Sequence, residues 1–238
     1  TRFDVSARIH GENGVGQVSM ETSPRAVESK HAVDFLIESV KKYGKELVIV
    51  ATGPQTNLAK ALLKAPEIKE MMGRVVIMGG ALTVPGNVNQ YTEANISQDP
   101  EAAKILFESG LDVTMVGLDV TTRSTLTNAD TQKWRETGSV AGKTYADMVD
   151  YYITENLGVE GCYLHDPSAV INAVHPEYFN MLPINMTVVT EGEAEGRTIG
   201  DANKVREPNP NVKVCIDVDS QRLVDDLNRT LLSLFKNN

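Results

Sequence analysis

Three runs of almost unbroken apolar residues, ELVIVATG (46–53), RVVIMGG (74–80) and DVTMVGLDV (112–120), are separated by segments of helical periodicity, and this alternation limits the fold more than any other feature. A half-exposed strand alternates apolar with polar side chains, whereas a strand covered on both faces does not need to. Runs of this kind with helices between them predict parallel strands sandwiched by those helices.

The punctuation between the runs agrees. Ser23-Pro24 supplies a cap and a first-turn proline, and Ala26, Val27, Ala32, Val33, Leu36, Ile37 and Val40 recur at helical spacing up to Gly44. Leu58, Ala61, Leu62 and Leu63 continue as a second helix that ends before Pro66. Asp99-Pro100-Glu101 opens a third, combining a capping carboxylate, a first-turn proline and an acid suited to the helix dipole. Residues 139–157 are weakly helical, and LHDPSAVINAVHP predicts a short helix from Asp166-Pro167. INMTVVTEG and NVKVCIDVD read as paired strands around a charged, glycine-rich connection. A final helix, SQRLVDDLNRTLLSLF, turns Leu223, Leu227, Leu231 and Leu234 to a core. The expected architecture is an open, mostly parallel, doubly wound α/β sheet of Rossmann-like type. No repeat or linker divides the chain, so residues 1–238 are expected to form a single domain.

Charge narrows the partners. With 23 Lys plus Arg against 32 Asp plus Glu, the net charge is −9, which repels a phosphate backbone or an anionic bilayer. A nucleic-acid polymer and a membrane are therefore not expected partners, and no run reaches the ~18 apolar residues of a membrane span. Cys162 and Cys215 have neither framework nor metal-type spacing, which suits a reducing cytoplasm. GENGVG lacks dinucleotide-fingerprint spacing, ATGPQTN lacks the Lys-Ser/Thr of a phosphate loop, and neither GxSxG nor HExxH occurs.

In open α/β sheets ligands gather beyond the carboxyl ends of the strands. Those ends are Thr52-Gly53, Met78-Gly79-Gly80 and Leu118-Asp119, and the second leads into GNVNQYTEANISQDP (86–100). Asn87, Asn89, Gln90, Glu93 and Asn95 lie in that stretch. Amides and a carboxylate at fixed positions suit a neutral, hydroxyl-rich ligand, although Gly86-Asn87 alone is also an ordinary turn. His165-Asp166-Pro167 has two readings as well: a helix cap with a packed histidine, or an acid–base pair.

Taken in order, IHGENGVG, VIVATGPQTNLA, RVVIMGGALTVPGNVNQYTEANISQDPEAA, DVTMVGLDVT and YLHDPSAV resemble the nucleoside hydrolase family of the inosine-uridine-preferring type over nearly the whole chain. The resemblance implies hydrolysis of the N-glycosidic bond of a ribonucleoside, assisted by Ca2+. By matching position, Thr52 (through its carbonyl) and Asp166 would hold calcium. Asn87, Glu93 and Asn95 would grip the ribose hydroxyls, and Met78 would lie against the sugar. His165 would protonate the leaving base, His10 would stand near it, and Tyr151, Tyr152, Glu155 and Tyr163 are candidates for the base pocket. A homo-oligomer, dimer or tetramer, is implied too.

The chain departs from the family in one respect. The N-terminal cluster Asp-x-Asp-x-x-x-Asp-Asp, which supplies most of the calcium carboxylates and the water-activating base, does not occur in these 238 residues. The chain begins where the family's third strand would finish, so a missing N-terminal segment or chain is expected. Calcium would then bind weakly. A non-catalytic nucleoside- or ribose-binding module, or an inactive fragment, is the alternative.

Overall fold

The computed structural model describes residues 6–155 and 161–237. Helices and strands follow in the order α1 (Ala7–His10), α2 (Ala32–Tyr43), β1 (Ile49–Ala51), α3 (Thr56–Lys64), β2 (Val75–Met78), α4 (Ala94–Gln98), α5 (Pro100–Phe107), β3 (Val113–Val116) and α6 (Leu118–Thr121). After these come β4 (Thr125–Leu126), α7 (Asn128–Arg135), α8 (Val140–Glu155), β5 (Cys162–Tyr163), α9 (His165–Val174), β6 (Phe179–Ile184), β7 (Met186–Val188), β8 (Thr198–Gly200), β9 (Val212–Val218) and α10 (Ser220–Lys236). The described residues fall into two compact units. One contains residues 27–121 and 165–218, and the other contains residues 6–26, 122–155, 161–164 and 219–237.

The first unit is the doubly covered sheet that the apolar runs predict. Its strand order is β1-β2-β3-β9-β6, with β1, β2, β3 and β9 parallel and β6 antiparallel to β9. Every residue of β2 and β3 is buried, which explains why neither run needs polar alternation. Val75, Ile77, Val113, Met115, Val212 and Val214 pack in one core with Val33, Ile37 and Val40 of α2, Leu58 and Leu62 of α3, and Leu106 and Phe107 of α5. Helix α9 lies against β1, β2 and β3. Its C-terminal carbonyls, from Asn172 and Ala173, accept from the Arg74 guanidinium.

Three expectations are corrected. Helix α2 begins at Ala32, not after Pro24: the Ser23 hydroxyl accepts from Arg25 N–H in a local turn, Val27 is exposed, and His31 caps the helix by accepting from Val33 N–H. The run DVTMVGLDV is not one strand, because its end, Leu118–Thr121, is a buried helical turn. The two tail segments pair with each other only at Ile184 and Val212: β7 pairs with β8, while β9 inserts between β3 and β6.

The second unit packs α7, α8 and α10 with the short β4–β5 ribbon. Trp134 is buried, meets Phe235 edge-on at 5.9 Å and donates its indole N–H to Asn228 at 2.9 Å. Leu223 and Phe235 are the buried residues of α10, Leu227 and Leu231 are half-buried, and Leu234 is exposed. Arg135 bridges Asp147 and Asp150 of α8, at 2.7 Å each. Among the described residues no helix is long and apolar enough to cross a membrane.

Candidate active site

Because β1, β2 and β3 are parallel and in register, their carboxyl ends open on the same rim. The chain leaves β2 through Gly79-Gly80 and returns to that rim as the segment from Gly86 to Asp99. Glu93 governs the return. It is only 2 % exposed and caps α4: Oε1 accepts from Asn95 N–H at 2.9 Å, and Oε2 accepts from Ile96 N–H at 3.1 Å and Gly80 N–H at 3.0 Å. Burial pushes its carboxyl above the ordinary 4.5, outweighing three N–H donors that favour the anion, and the Asp166 carboxylate adds repulsion in the same direction. A buried acid held this way is rigid and placed to act on a neutral ligand.

Asn95 ties two strand ends together. Its Nδ2 donates to the Met78 carbonyl at 3.0 Å and lies 3.4 Å from the Thr52 carbonyl and 3.2 Å from Met78 Sδ. Asn87 is exposed and accepts from Ala94 N–H at 2.9 Å, which closes the segment onto the start of α4. Asn89, in contrast, spends its carbonyl on the local backbone, accepting from Tyr91 N–H and Thr92 N–H. The exit is fixed by Asp99, which caps α5 through Ala102 N–H and accepts from the Thr56 hydroxyl of α3 at 2.5 Å.

Asp166, in the first turn of α9, is solvent-exposed and near enough to Glu93 to repel it. His165 precedes it, with Nδ1 2.8 Å from the buried Thr121 hydroxyl; the direction of that bond depends on the tautomer, and either direction orients the ring. Thr52, Met78, Asn87, Glu93, Asn95, His165 and Asp166 therefore all belong to the first unit.

The candidates for the base side belong to the second unit. His10 ends α1, exposed, with its ring 6.1 Å from Tyr152. Tyr151 lies against the Gly16 backbone, and burial raises Tyr152 to about 12. The Glu155 carbonyl is 3.5 Å from the Arg8 guanidinium, and Tyr163 is in β5. The intervening stretch, residues 156–160, lies outside the described residues, as do residues 1–5 at the start of the chain.

Two supporting residues escape sequence reasoning. Asp119, 4 % exposed, accepts from Leu82 N–H, Thr83 N–H and the Thr83 hydroxyl, and so holds the strand β2 exit. Thr121 orients His165. Asp119 stands at a strand end, where a buried carboxylate could be sought, whereas nothing in the sequence marks Thr121.

Among the described residues no three His, Cys, Asp or Glu side chains converge. The Thr52 carbonyl and the Asp166 carboxylate offer two kinds of oxygen donor, while calcium takes six to eight oxygen ligands. These residues alone do not fit a calcium ion.

Residues 1–225 match the family model for inosine-uridine preferring nucleoside hydrolase. A pyrimidine-specific ribonucleoside hydrolase, RihA, of Salmonella gallinarum is 35% identical over 226 residues, covering 93% of this chain and 72% of the relative. The structure of a purine-preferring ribonucleoside hydrolase from Gardnerella vaginalis superposes with a TM-score of 0.97 at 52% identity, covering 99% of this chain and 77% of that one. A plant nucleoside hydrolase superposes with a TM-score of 0.90 at 33% identity, over 97% of this chain and 76% of the other. The chain belongs to the inosine-uridine preferring nucleoside hydrolase family.

Proposed function

We propose that this protein hydrolyses the N-glycosidic bond of ribonucleosides, releasing ribose and the free base, and that it prefers purine nucleosides. The observation that carries the reading is the rim itself: the buried carboxyl of Glu93, the amides Asn87 and Asn95, and Asp166 in one unit, next to strand ends that Asn95 locks together. Purine preference is supported by the 52% identical purine-preferring relative, against 35% for the pyrimidine-specific one.

In the proposed reaction the C1′–N bond breaks and its electron pair leaves with the base. Water supplies the new C1′–O bond and releases one proton to solvent, which balances the proton that His165 gives to the base and later regains. The sugar passes through an oxocarbenium-like state, and Asp166 places negative charge near it. Asn87, Glu93 and Asn95 hold the ribose hydroxyls, with Met78 against the ring. His165, oriented by Thr121, gives a proton to the departing base. The family resemblance implies Ca2+, but the donor set described above does not hold it, so no step is assigned to a metal.

The family match runs over residues 1–225 across both units, which supports one functional domain. Two free thiols suit a cytoplasmic role in nucleoside salvage, and assembly as a homo-oligomer rests on the family. Release of reducing sugar from inosine and uridine is the test. Turnover of inosine above uridine, lost by at least about 100-fold in Asp166→Asn, is expected; undiminished turnover in that variant removes Asp166 from the chemistry. Among the described residues no three acidic or other metal-ligating side chains converge, which favours a second reading, nucleoside binding without cleavage. Calorimetric binding of inosine with no sugar released on long incubation would establish it.

A further inference from the structure

Five successive backbone N–H groups at the exit of β2 all donate to groups distant in sequence. Gly79 N–H donates to the Val116 carbonyl, Gly80 N–H to Glu93, Ala81 N–H to the Thr198 hydroxyl, and Leu82 and Thr83 N–H to Asp119. The Gly80 carbonyl accepts from Leu118 N–H at 2.9 Å. A turn bound this way has one position, and the Gly80 N–H within it is a direct contact of the Glu93 carboxylate.

Thr198, 2 % exposed, occupies a distinctive place in that set. Its hydroxyl accepts from Ala81 N–H at 3.0 Å and donates to the Ala81 carbonyl at 2.9 Å, so one side chain brackets both polar groups of a residue 117 positions away. Gly80 has φ +83°, and a Cβ there would come within 2.7 Å of Met115 Sδ and 3.0 Å of Thr198 Oγ1, so the turn is also pressed from behind. The hairpin that carries Thr198 also touches the segment from Gly86 to Asp99. Gly196 backs onto Thr92 so closely that any Cβ would collide with its hydroxyl, and the Arg197 guanidinium lies 5.8 Å from the Tyr91 ring centroid.

The hairpin is itself anchored. Met186 and Val188 of β7 are in the main core, and Asn211 accepts from Met186 N–H while donating to the carbonyls of Met186 and Phe107. A rigid path therefore runs from the core through β7 and β8 to Thr198, on to Ala81 and Gly80, and ends at Glu93.

We infer that Thr198 is a positioning residue of the sugar site: its hydroxyl sets the Gly80-Ala81 turn, and through it the placement of the Glu93 carboxylate. This rests on the ribonucleoside reading above. The β7–β8 hairpin is then part of the binding apparatus, acting from behind the turn without touching substrate. Since Glu93 is read as gripping ribose in ground and transition states alike, loosening it affects KM more than kcat.

Thr198→Val keeps the shape and removes both hydrogen bonds, whereas Thr198→Ser keeps the hydroxyl. With inosine, Thr198→Val is expected to raise KM about tenfold with kcat within about twofold of wild type, and Thr198→Ser to restore KM to within about twofold. Backbone amide exchange at Gly80 and Ala81 is expected to quicken by at least about tenfold in Thr198→Val only. An unchanged KM, or a Thr198→Ser variant as impaired as Thr198→Val, overturns the proposal. So does a lowered melting temperature with KM and amide protection unchanged. If Thr198→Val folds poorly, Thr198→Ala removes the same bonds and is read the same way. If the wild-type protein cleaves no ribonucleoside, the functional reading fails separately, and the exchange at Gly80 and Ala81 still decides whether Thr198 sets the turn.

Discussion

Replacing Glu93 by glutamine tests the centre of the site, because the substitution preserves shape while removing an oxygen and a charge. Three backbone N–H groups converge on the carboxylate, one on Oε1 and two on Oε2. Glutamine has a single carbonyl oxygen. Its better orientation serves Gly80 and Ile96 and turns the amide NH2 toward Asn95 N–H, donor against donor. One buried N–H left without an acceptor costs about 1–3 kcal/mol, and the two surviving bonds weaken as they lose charge assistance. Relief from burying the carboxyl acts in the opposite sense, leaving a net loss of about 1–2 kcal/mol. The pH dependence carries its own sign. Burial raises the carboxyl above 4.5 in the folded state, so the native protein holds this proton more tightly than the unfolded chain. That contribution is fully present below about pH 4.5 and is lost as pH rises through the folded value. The stability gap between wild type and Glu93→Gln is therefore largest in acid and narrows as pH rises, with other titrations cancelling in the difference. Urea midpoints across pH 4–8, with the slope m held as a control, measure it. Hydrolysis by the variant is expected to fall about 100-fold in kcat/KM. A gap that widens with pH, or a variant as stable and as active as wild type, would refute the reasoning.

Thr121→Val removes the 2.8 Å bond that orients His165. The expected result is about a tenfold loss of kcat with inosine and little change with a riboside whose leaving group departs as a stable anion, since only the first needs a proton. Equal loss with both substrates would show that the bond does not serve proton transfer. Burial raises the thiols of Cys162 and Cys215 to about 12 each. At pH 8 their thiolate fraction, and with it the rate of alkylation by iodoacetamide in the native protein, should be lower than that of a free cysteine by on the order of 10³. Mass spectrometry after timed quenching reads the rate at each site, and rapid labelling of Cys215 would contradict its burial.

How much of this was legible in the sequence depended on the range over which each residue acts. The runs around Ile77 and Met115 declared buried parallel strands because burial on both faces is written along the strand itself, whereas the run around Val50 forms a parallel strand that is only half-buried. Asp99-Pro100 declared the start of α5, since a cap and its N–H partner, Ala102, are three residues apart. The same local signal at Ser23-Pro24 misled: a cap closes one turn, but a helix continues only where its next turns find apolar partners, and Val27 finds none while Val33, Ile37 and Val40 do. Glu93 was readable as a carboxylate among amides, yet its role as the cap of α4 and the holder of Gly80 depends on a turn thirteen residues earlier. Asp119, Thr121 and Thr198 form the limiting cases. They act on residues 36, 44 and 117 positions away, and at such separations a threonine that orients a histidine or brackets a peptide reads no differently from one that fills a strand. The residues proposed to contact ribose were thus suggested by their own chemistry and assigned by the family resemblance, whereas those that aim them could be found only from the folded chain. Substitutions in the second group are accordingly expected to change how well a correct site is held, and substitutions in the first to change what the site can do.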